Sequence, residues 1–208
     1  MTIFVDIEDF LPEAIKWAPN VSDPVALKAI RQSARAICKA ARNWVEPAQI
    51  AISHPRMQPT CPVQDADILE IRHAFLDDWQ LEPVTLQWIN DAYPRWPFDL
   101  EHGNPHYITQ LQPNTLTVYP FATGTLFLQM VLVPSRRASS LPAFLMDGAL
   151  AELLSDGAAS FLLTELSSSN PQLGLAKKQT FEAALTTLKI EALRGQQRAP
   201  LRTKGAYF

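Results

Sequence analysis

Glycine is scarce in this chain, seven residues in 208, and none of the seven belongs to a phosphate-cradling loop or a dinucleotide fingerprint. Nucleotide chemistry of those kinds is not predicted. Cysteine is scarcer still: Cys38 and Cys61 stand in unrelated contexts with neither metal-type nor redox-type spacing, so two buried thiols in a reducing compartment is the expectation. Long apolar runs are missing too. Thr125 to Pro134 is the longest, is broken by Gln129, and falls far short of the ~20 residues a membrane helix needs. The N-terminus alternates Ile3, Phe4, Val5 and Ile7 with Asp6, Glu8 and Asp9, so no signal peptide is expected.

Groups that carry chemistry are equally sparse. His102 and His106 are four apart, a zinc-like spacing on a helix, but Gly103 and Pro105 between them forbid that helix. Cys61 and His54 lie in a proline-rich stretch with nothing to pair them as nucleophile and base. Asp65 with Asp67, and Asp77 with Asp78, read as solvated charges on turns. No catalytic, cofactor-binding or metal-binding residue is proposed from the sequence, and the expectation is a protein that is not an enzyme and carries no cofactor.

What is present is enough for a folded core. Apolar residues make up 47% of the chain, and most of the 17 prolines lie between residues 47 and 142, marking a middle rich in turns. Asp23 and Pro24 form a helix start, and Leu27, Ile30, Ala34, Ile37, Cys38, Ala41 and Trp44 recur at three- and four-residue steps, predicting a helix to about Trp44. A short helix or turn is expected before it, over Asp6 to Ala14. The period then changes to two. Strands are predicted at Gln49–Ser53, Ile68–Leu76, His106–Leu111, Thr115–Tyr119 and Thr125–Val133, the last three as consecutive hairpin-linked strands with the third central. Thr85–Tyr93 reads as a short helix capped by Thr85.

After Pro134 the pattern is helical again. Leu141-Pro142 is expected to open one helix through Leu162, with Gly148 and Gly157 marking close helix contact, and Pro171 to open another that ends near Gly195. Residues 196 to 208 have no period and read as an extended arm. The predicted class is α+β: a bundle of three main helices with an inserted β-rich domain and an extended C-terminal arm. The corresponding segments are 1–46 and 135–195 for the bundle, 47–134 for the insertion, and 196–208 for the arm.

Charge is unevenly placed. Residues 171 to 208 hold seven bases and two acids, and no acid follows Glu191. Lys28, Arg31, Arg35, Lys39 and Arg42 are spaced by three and four and form one basic stripe on the first long helix, whereas residues 65 to 101 hold nine acids and two bases. A basic helix face and an acidic β-region can meet across a subunit boundary. Two other readings stay open: ordinary solvated faces, and contact of the stripe with DNA phosphates, although interleaved aromatics and a helix-turn-helix pattern are lacking.

Several segments together resemble a known family. They begin with a short acidic lead, Pro19, and Ala26-Leu27-Lys28-Ala29-Ile30-Arg31 with Ala34-Arg35, Ile37-Cys38 and Trp44. Gly103-Asn104-Pro105-His106-Tyr107 and Leu116-Thr117-Val118-Tyr119-Pro120 follow. The match is strongest at Leu132-Val133-Pro134-Ser135-Arg136-Arg137-Ala138, Leu141-Pro142, Phe144-Leu145 and Asp156-Gly157-Ala158. Asn170-Pro171-Gln172-Leu173-Gly174-Leu175-Ala176, Phe181 and the basic tail with Leu201-Arg202 close it. In this order they are similar to the head-to-tail adaptor, or connector, proteins of tailed bacteriophages.

The resemblance implies a structural subunit of the virion, assembled in the host cytoplasm, forming a homo-oligomeric ring, commonly a dodecamer, beneath the portal. It implies the portal protein and a downstream tail or second connector protein as partners, no membrane, and a channel through which DNA passes without sequence-specific contacts. The arm, with Arg194, Arg198, Leu201, Arg202, Lys204, Tyr207 and Phe208, is expected at the portal. Lys28, Arg31, Arg35, Lys39 and Arg42 are expected at a subunit interface or the lumen. Another tail- or head-completion protein, or a DNA-binding module using the basic helix, are the alternatives.

Overall fold

The computed structural model of the chain describes residues 2–98, 103–165 and 170–194. Its elements run β1 (Phe4–Asp6), α1 (Leu11–Ile15), α2 (Asp23–Ala41), β2 (Val45–Ile52), β3 (Ala66–Leu76), β4 (Trp79–Pro83) and α3 (Leu86–Ala92). Then come β5 (Tyr107–Gln112), β6 (Thr115–Tyr119), β7 (Gly124–Pro134), β8 (Ser140–Pro142), α4 (Gly148–Glu165) and α5 (Pro171–Arg194). The protein is α+β, with five α-helices and a curled six-stranded sheet among the described residues. The chain divides into two units, residues 1–43 with 134–208, and residues 44–133.

In the first unit α2, α4 and α5 pack on one another. The contact is close because small residues line it. A Cβ on Gly157 would run into the Ser33 hydroxyl and come within 2.6 Å of the Phe181 ring, and one on Gly174 would come within 2.8 Å of Leu163. Ser33, fully buried on α2, donates its hydroxyl to the Leu154 carbonyl of α4 at 2.9 Å, so the polar atom is satisfied where it is enclosed. Ile30, Ala34, Ile37 and Cys38 are buried on α2 as their spacing predicted, whereas Leu27 and Ala41 are only half-buried and Ala26 and Ala29, outside the predicted set, complete the buried face.

Three helix boundaries differ from the sequence reading. The α2 helix starts one residue earlier than expected, with Ser22 as the cap, and ends at Ala41 because Arg42 adopts a left-handed conformation (φ 49°) whose N–H closes on the Cys38 carbonyl at 2.9 Å. Trp44 is therefore buried, but outside the helix. Leu141-Pro142 does not open a helix. It pairs as β8 with β1, antiparallel, with Val5 opposite Leu141, and one 3₁₀ turn over Ala143–Met146 precedes α4. Gly148 supplies that start by its positive φ of 42°; a Cβ there would meet nothing within 4 Å, so its role is conformational and not close packing. The segment before α2 combines β1, a 3₁₀ turn at Ile7–Phe10 capped by Asp6, and α1.

The second unit is built on a sheet of order β2-β7-β3-β4-β5-β6. Neighbours β2–β7, β3–β4 and β5–β6 are antiparallel, and β4–β5 is parallel. Of the two hairpins expected to link the last three predicted strands, only one forms. The β5–β6 pair is one hairpin, turned at Asn114 (φ 67°), but after it the chain leaves the edge at Pro120, which has no N–H for a ladder. Phe121 is then buried with Ile89, Trp96 and Tyr119. The next strand, β7, inserts between β2 and β3. Its apolar residues on both faces did predict an interior position, and it has one. Short β4 alternates Trp79, Gln80, Leu81 and Glu82, a two-residue period that is a strand signal but too short to stand out beside Pro83. The α3 helix is capped as expected, the Thr85 hydroxyl accepting from Trp88 N–H at 3.1 Å.

Candidate functional site

Of the five bases predicted to form a stripe, Lys28 and Lys39 are exposed on α2, and Arg42 lies beyond its end. Arg31 and Arg35 are half-buried and hold a neighbouring segment: Arg31 Nε donates to the Ala138 carbonyl at 2.7 Å, and an Arg35 guanidinium N–H donates to the Pro134 carbonyl at 2.6 Å. The two arginines, one helical turn apart, thus grip both ends of the connection from β7 to β8. A charged donor to a carbonyl contributes roughly 1.5–3 kcal/mol.

The gripped connection is a turn. Ala138 N–H donates to the Ser135 carbonyl and Arg137 N–H to the Ser135 hydroxyl, each at 3.3 Å, while Arg136 and Arg137 point outward and are exposed. Because Ala138 lies against Arg31 and Pro134 against Arg35, the pair Arg136-Arg137 sits alongside the middle of the α2 stripe. Neither segment supplies an acid: residues 24–42 and 132–146 contain none. These two arginines belong to a segment that carries the family resemblance but are not among the site residues expected from sequence. The doubled base in a Pro-Ser turn was a visible signal, but its place beside α2 is tertiary.

Arg194 ends α5, exposed, where a cation suits the negative end of a helix. Arg198, Leu201, Arg202, Lys204, Tyr207 and Phe208 lie outside the described residues.

The residues tested for chemistry have local roles. Asp65 and Asp77 adopt left-handed conformations (φ 58° and 48°), and the Asp77 carboxylate accepts from Thr125 N–H at 2.8 Å, joining the β3–β4 turn to the start of β7. Asn114 does comparable work: its side chain accepts from Ile68 N–H at 2.7 Å and donates to Asp67 at 2.9 Å, and its carbonyl accepts from Cys61 N–H at 3.0 Å. Cys38 is buried, and burial pushes its thiol pKa up to about 12. Cys61 is only half-buried, a departure from the expected pair of enclosed thiols, and burial raises its pKa as well. His102 lies outside the described residues; among those described, no group of three or more His, Cys, Asp or Glu is placed to hold a metal.

Aromatic rings cluster in the second unit, with Trp88 and Tyr93 exposed, Tyr107 half-buried and Tyr119 buried. Trp88 and Tyr107 have ring centroids 4.8 Å apart, Tyr93 and Tyr119 5.0 Å, and hydrogen bonding to Tyr93 raises the Tyr107 pKa. At the tip of the β3–β4 hairpin, Phe75 and Trp79 are 40% and 47% exposed beside Asp77 and Asp78.

No helix among the described residues is long and apolar enough to cross a membrane. No curated protein matches the chain. The family described as SU10 adaptor protein matches residues 5–204, nearly the whole length and every element described above except the first residue of β1. The chain therefore belongs to the SU10 adaptor protein family, a family of phage head-to-tail adaptors.

Proposed function

We propose that the protein is a subunit of a head-to-tail connector: a homo-oligomeric ring, most simply a dodecamer, that sits beneath the portal, joins capsid to tail and leaves a channel for DNA. The single observation that carries this is the family match over residues 5–204, which runs through the helical unit and the β unit into the basic tail. A structural, non-catalytic role in the virion, in contact with other head and tail proteins, is what an adaptor performs.

Within that reading α2, α4 and α5 are the bundle that forms the body of the subunit, and residues 44–133 are its inserted β-rich domain. The arm, from Arg194 through Arg198, Leu201, Arg202, Lys204, Tyr207 and Phe208, docks on the portal, with four bases and two terminal aromatics suited to an acidic, partly apolar groove. The basic residues of α2 act between subunits or along the lumen.

A pull-down of the full chain with the portal protein of the same phage tests the reading, with native mass measurement of the captured material. A stoichiometric ring on the portal is expected, lost on deletion of residues 198–208. A lone subunit that ignores the portal and retains DNA in a salt-sensitive manner would overturn it in favour of a DNA-binding module.

A further inference from the structure

We infer that the contact between successive subunits is electrostatic and head-to-tail: the basic surface made by Lys28, Lys39, Arg136 and Arg137 of one copy docks on the β3–β4 hairpin of a second copy, around Asp78 and Trp79. The inference rests on the ring reading above and names the two surfaces that would close the ring.

Charge is unevenly spread over the chain. Residues 44–133 carry ten acids and three bases; the remainder, without residues 195–208, is close to balanced with twelve bases and eleven acids, but its acid-free stretches 24–42 and 132–146 gather seven of those bases. A ring built by rotation needs a heterologous contact, two different and complementary patches on every copy, because a self-complementary patch closes a dimer and stops. An acidic unit and a basic, acid-free surface on one chain meet that requirement.

Each patch is also built for contact. Arg136 and Arg137 are exposed on a turn whose ends are fixed by Arg31 and Arg35, so their main chain is held before any partner arrives. Lys28 and Lys39 extend the same side of α2 by one turn at either end. Opposite them, the hairpin tip is held by the Asp77 carboxylate on Thr125 N–H, which leaves Asp78 exposed between Asp77 and Trp79. Phe75 and Trp79, on opposite faces of the hairpin beside these acids, each offer a flat face to a guanidinium group, which binds carboxylates and aromatic rings together. Glu82, exposed further along β4 on the face of Phe75, adds a second carboxylate. Arg72 and His73 also line a groove on this hairpin, with Glu82, His106 and Tyr107, but lie further from the tip than Phe75. DNA would also find the basic surface attractive, yet it offers no account of the acidic, aromatic hairpin.

Charge reversal on the full chain decides the matter. Arg136→Glu with Arg137→Glu should leave the circular-dichroism melt of the subunit unchanged and reduce ring assembly on the portal about ten-fold or more. Asp78→Lys with Glu82→Lys should do the same. All four changes in one chain should restore rings, because the complementary signs are exchanged. If wild-type chain forms no ring with portal, the ring reading itself fails. If it forms rings that tolerate either reversal, or if the fourfold variant stays unassembled although each pair folds, only this contact is wrong. Loss of DNA retention by the Arg136/Arg137 variant without loss of rings would assign the basic surface to the lumen instead.

Discussion

The Lys177 ammonium sits 4.0 Å above the centroid of the Trp17 ring and 2.6 Å from a carboxylate oxygen of Asp156. The indole beneath it donates Nε1–H to the Ser155 hydroxyl at 2.9 Å, and that hydroxyl donates to the Glu13 carbonyl at 2.8 Å. One short chain of polar contacts thereby ties the α1 region to both α4 and α5. Lys177→Gln should lower the stability of the subunit by about 1–2 kcal/mol, since the cation loses both a π face and a partly shielded partner. Urea unfolding checks this, and a loss that vanished in ~0.5 M salt would indicate an ordinary surface pair.

Close approach around Gly157 leads to a second expectation. Gly157→Ala, a change that favours helix by roughly 1 kcal/mol where space allows, should here destabilise by about 1–3 kcal/mol through overlap with Ser33 and the Phe181 ring. Phe181→Ala and Ile37→Ala, both emptying buried sites, should each cost about 2–5 kcal/mol. A stabilised Gly157→Ala protein would mean that the helices do not meet there.

The arginines of α2 should separate by role. Arg31→Ala and Arg35→Ala each release one end of the Pro134–Ala138 turn and should cost about 1–3 kcal/mol. Lys28→Ala and Lys39→Ala, both exposed, should change stability by no more than about 0.5 kcal/mol. Chemical denaturation of the four variants checks the division, and equal behaviour of all four would refute it.

Asn114 combines a φ of 67° with hydrogen bonds to Asp67 and Ile68. Asn114→Gly keeps the conformation and loses the side-chain bonds, whereas Asn114→Ala loses both. The expected order of stability is Asn above Gly above Ala, the last lower by about 1–3 kcal/mol. Gly at or above the wild-type value would show the side chain to be idle.

Cys38 sets a pH window. Its thiol titrates near 9.0 in an open chain and near 12 when buried, so over that interval the unfolded chain gives up a proton that the folded chain keeps. The raised folded pKa therefore leaves stability whole below pH ~9 and erodes it as the pH climbs toward 12. Cys38→Ala should flatten the alkaline decline relative to wild type, as read from urea midpoints across that range. Identical slopes would place the thiol in contact with solvent.

What was legible in the residues was what a single helix or strand decides for itself. The buried face of α2, the Pro171 start of α5, the Thr85 cap and the two-faced apolarity of β7 all came from local spacing, because each element must hide its own stripe. Partners were not legible. Nothing in Thr115–Tyr119 and Thr125–Val133 says that they will not pair, since their separation depends on where Phe121 finds a pocket and on β2 and β3 flanking β7. The candidate site divides the same way. The spacing of Lys28, Arg31, Arg35 and Lys39 placed them on one side of a helix, but the carbonyls that occupy Arg31 and Arg35 come from about 100 residues further along. The exposed bases that complete the surface, Arg136 and Arg137, arrive with that turn.

The first and last strands of the 44–133 unit lie side by side, Val45 opposite Val131, with Leu132 N–H bonded to the Trp44 carbonyl at 2.9 Å. A stretch of ninety residues that begins and finishes at one spot can be treated as a cassette. It can be lengthened, exchanged for another sheet, or replaced by a tight loop joining Asn43 to Pro134, while the remaining helices keep the same two attachment points. Grafts between adaptors are therefore best cut at that strand pair.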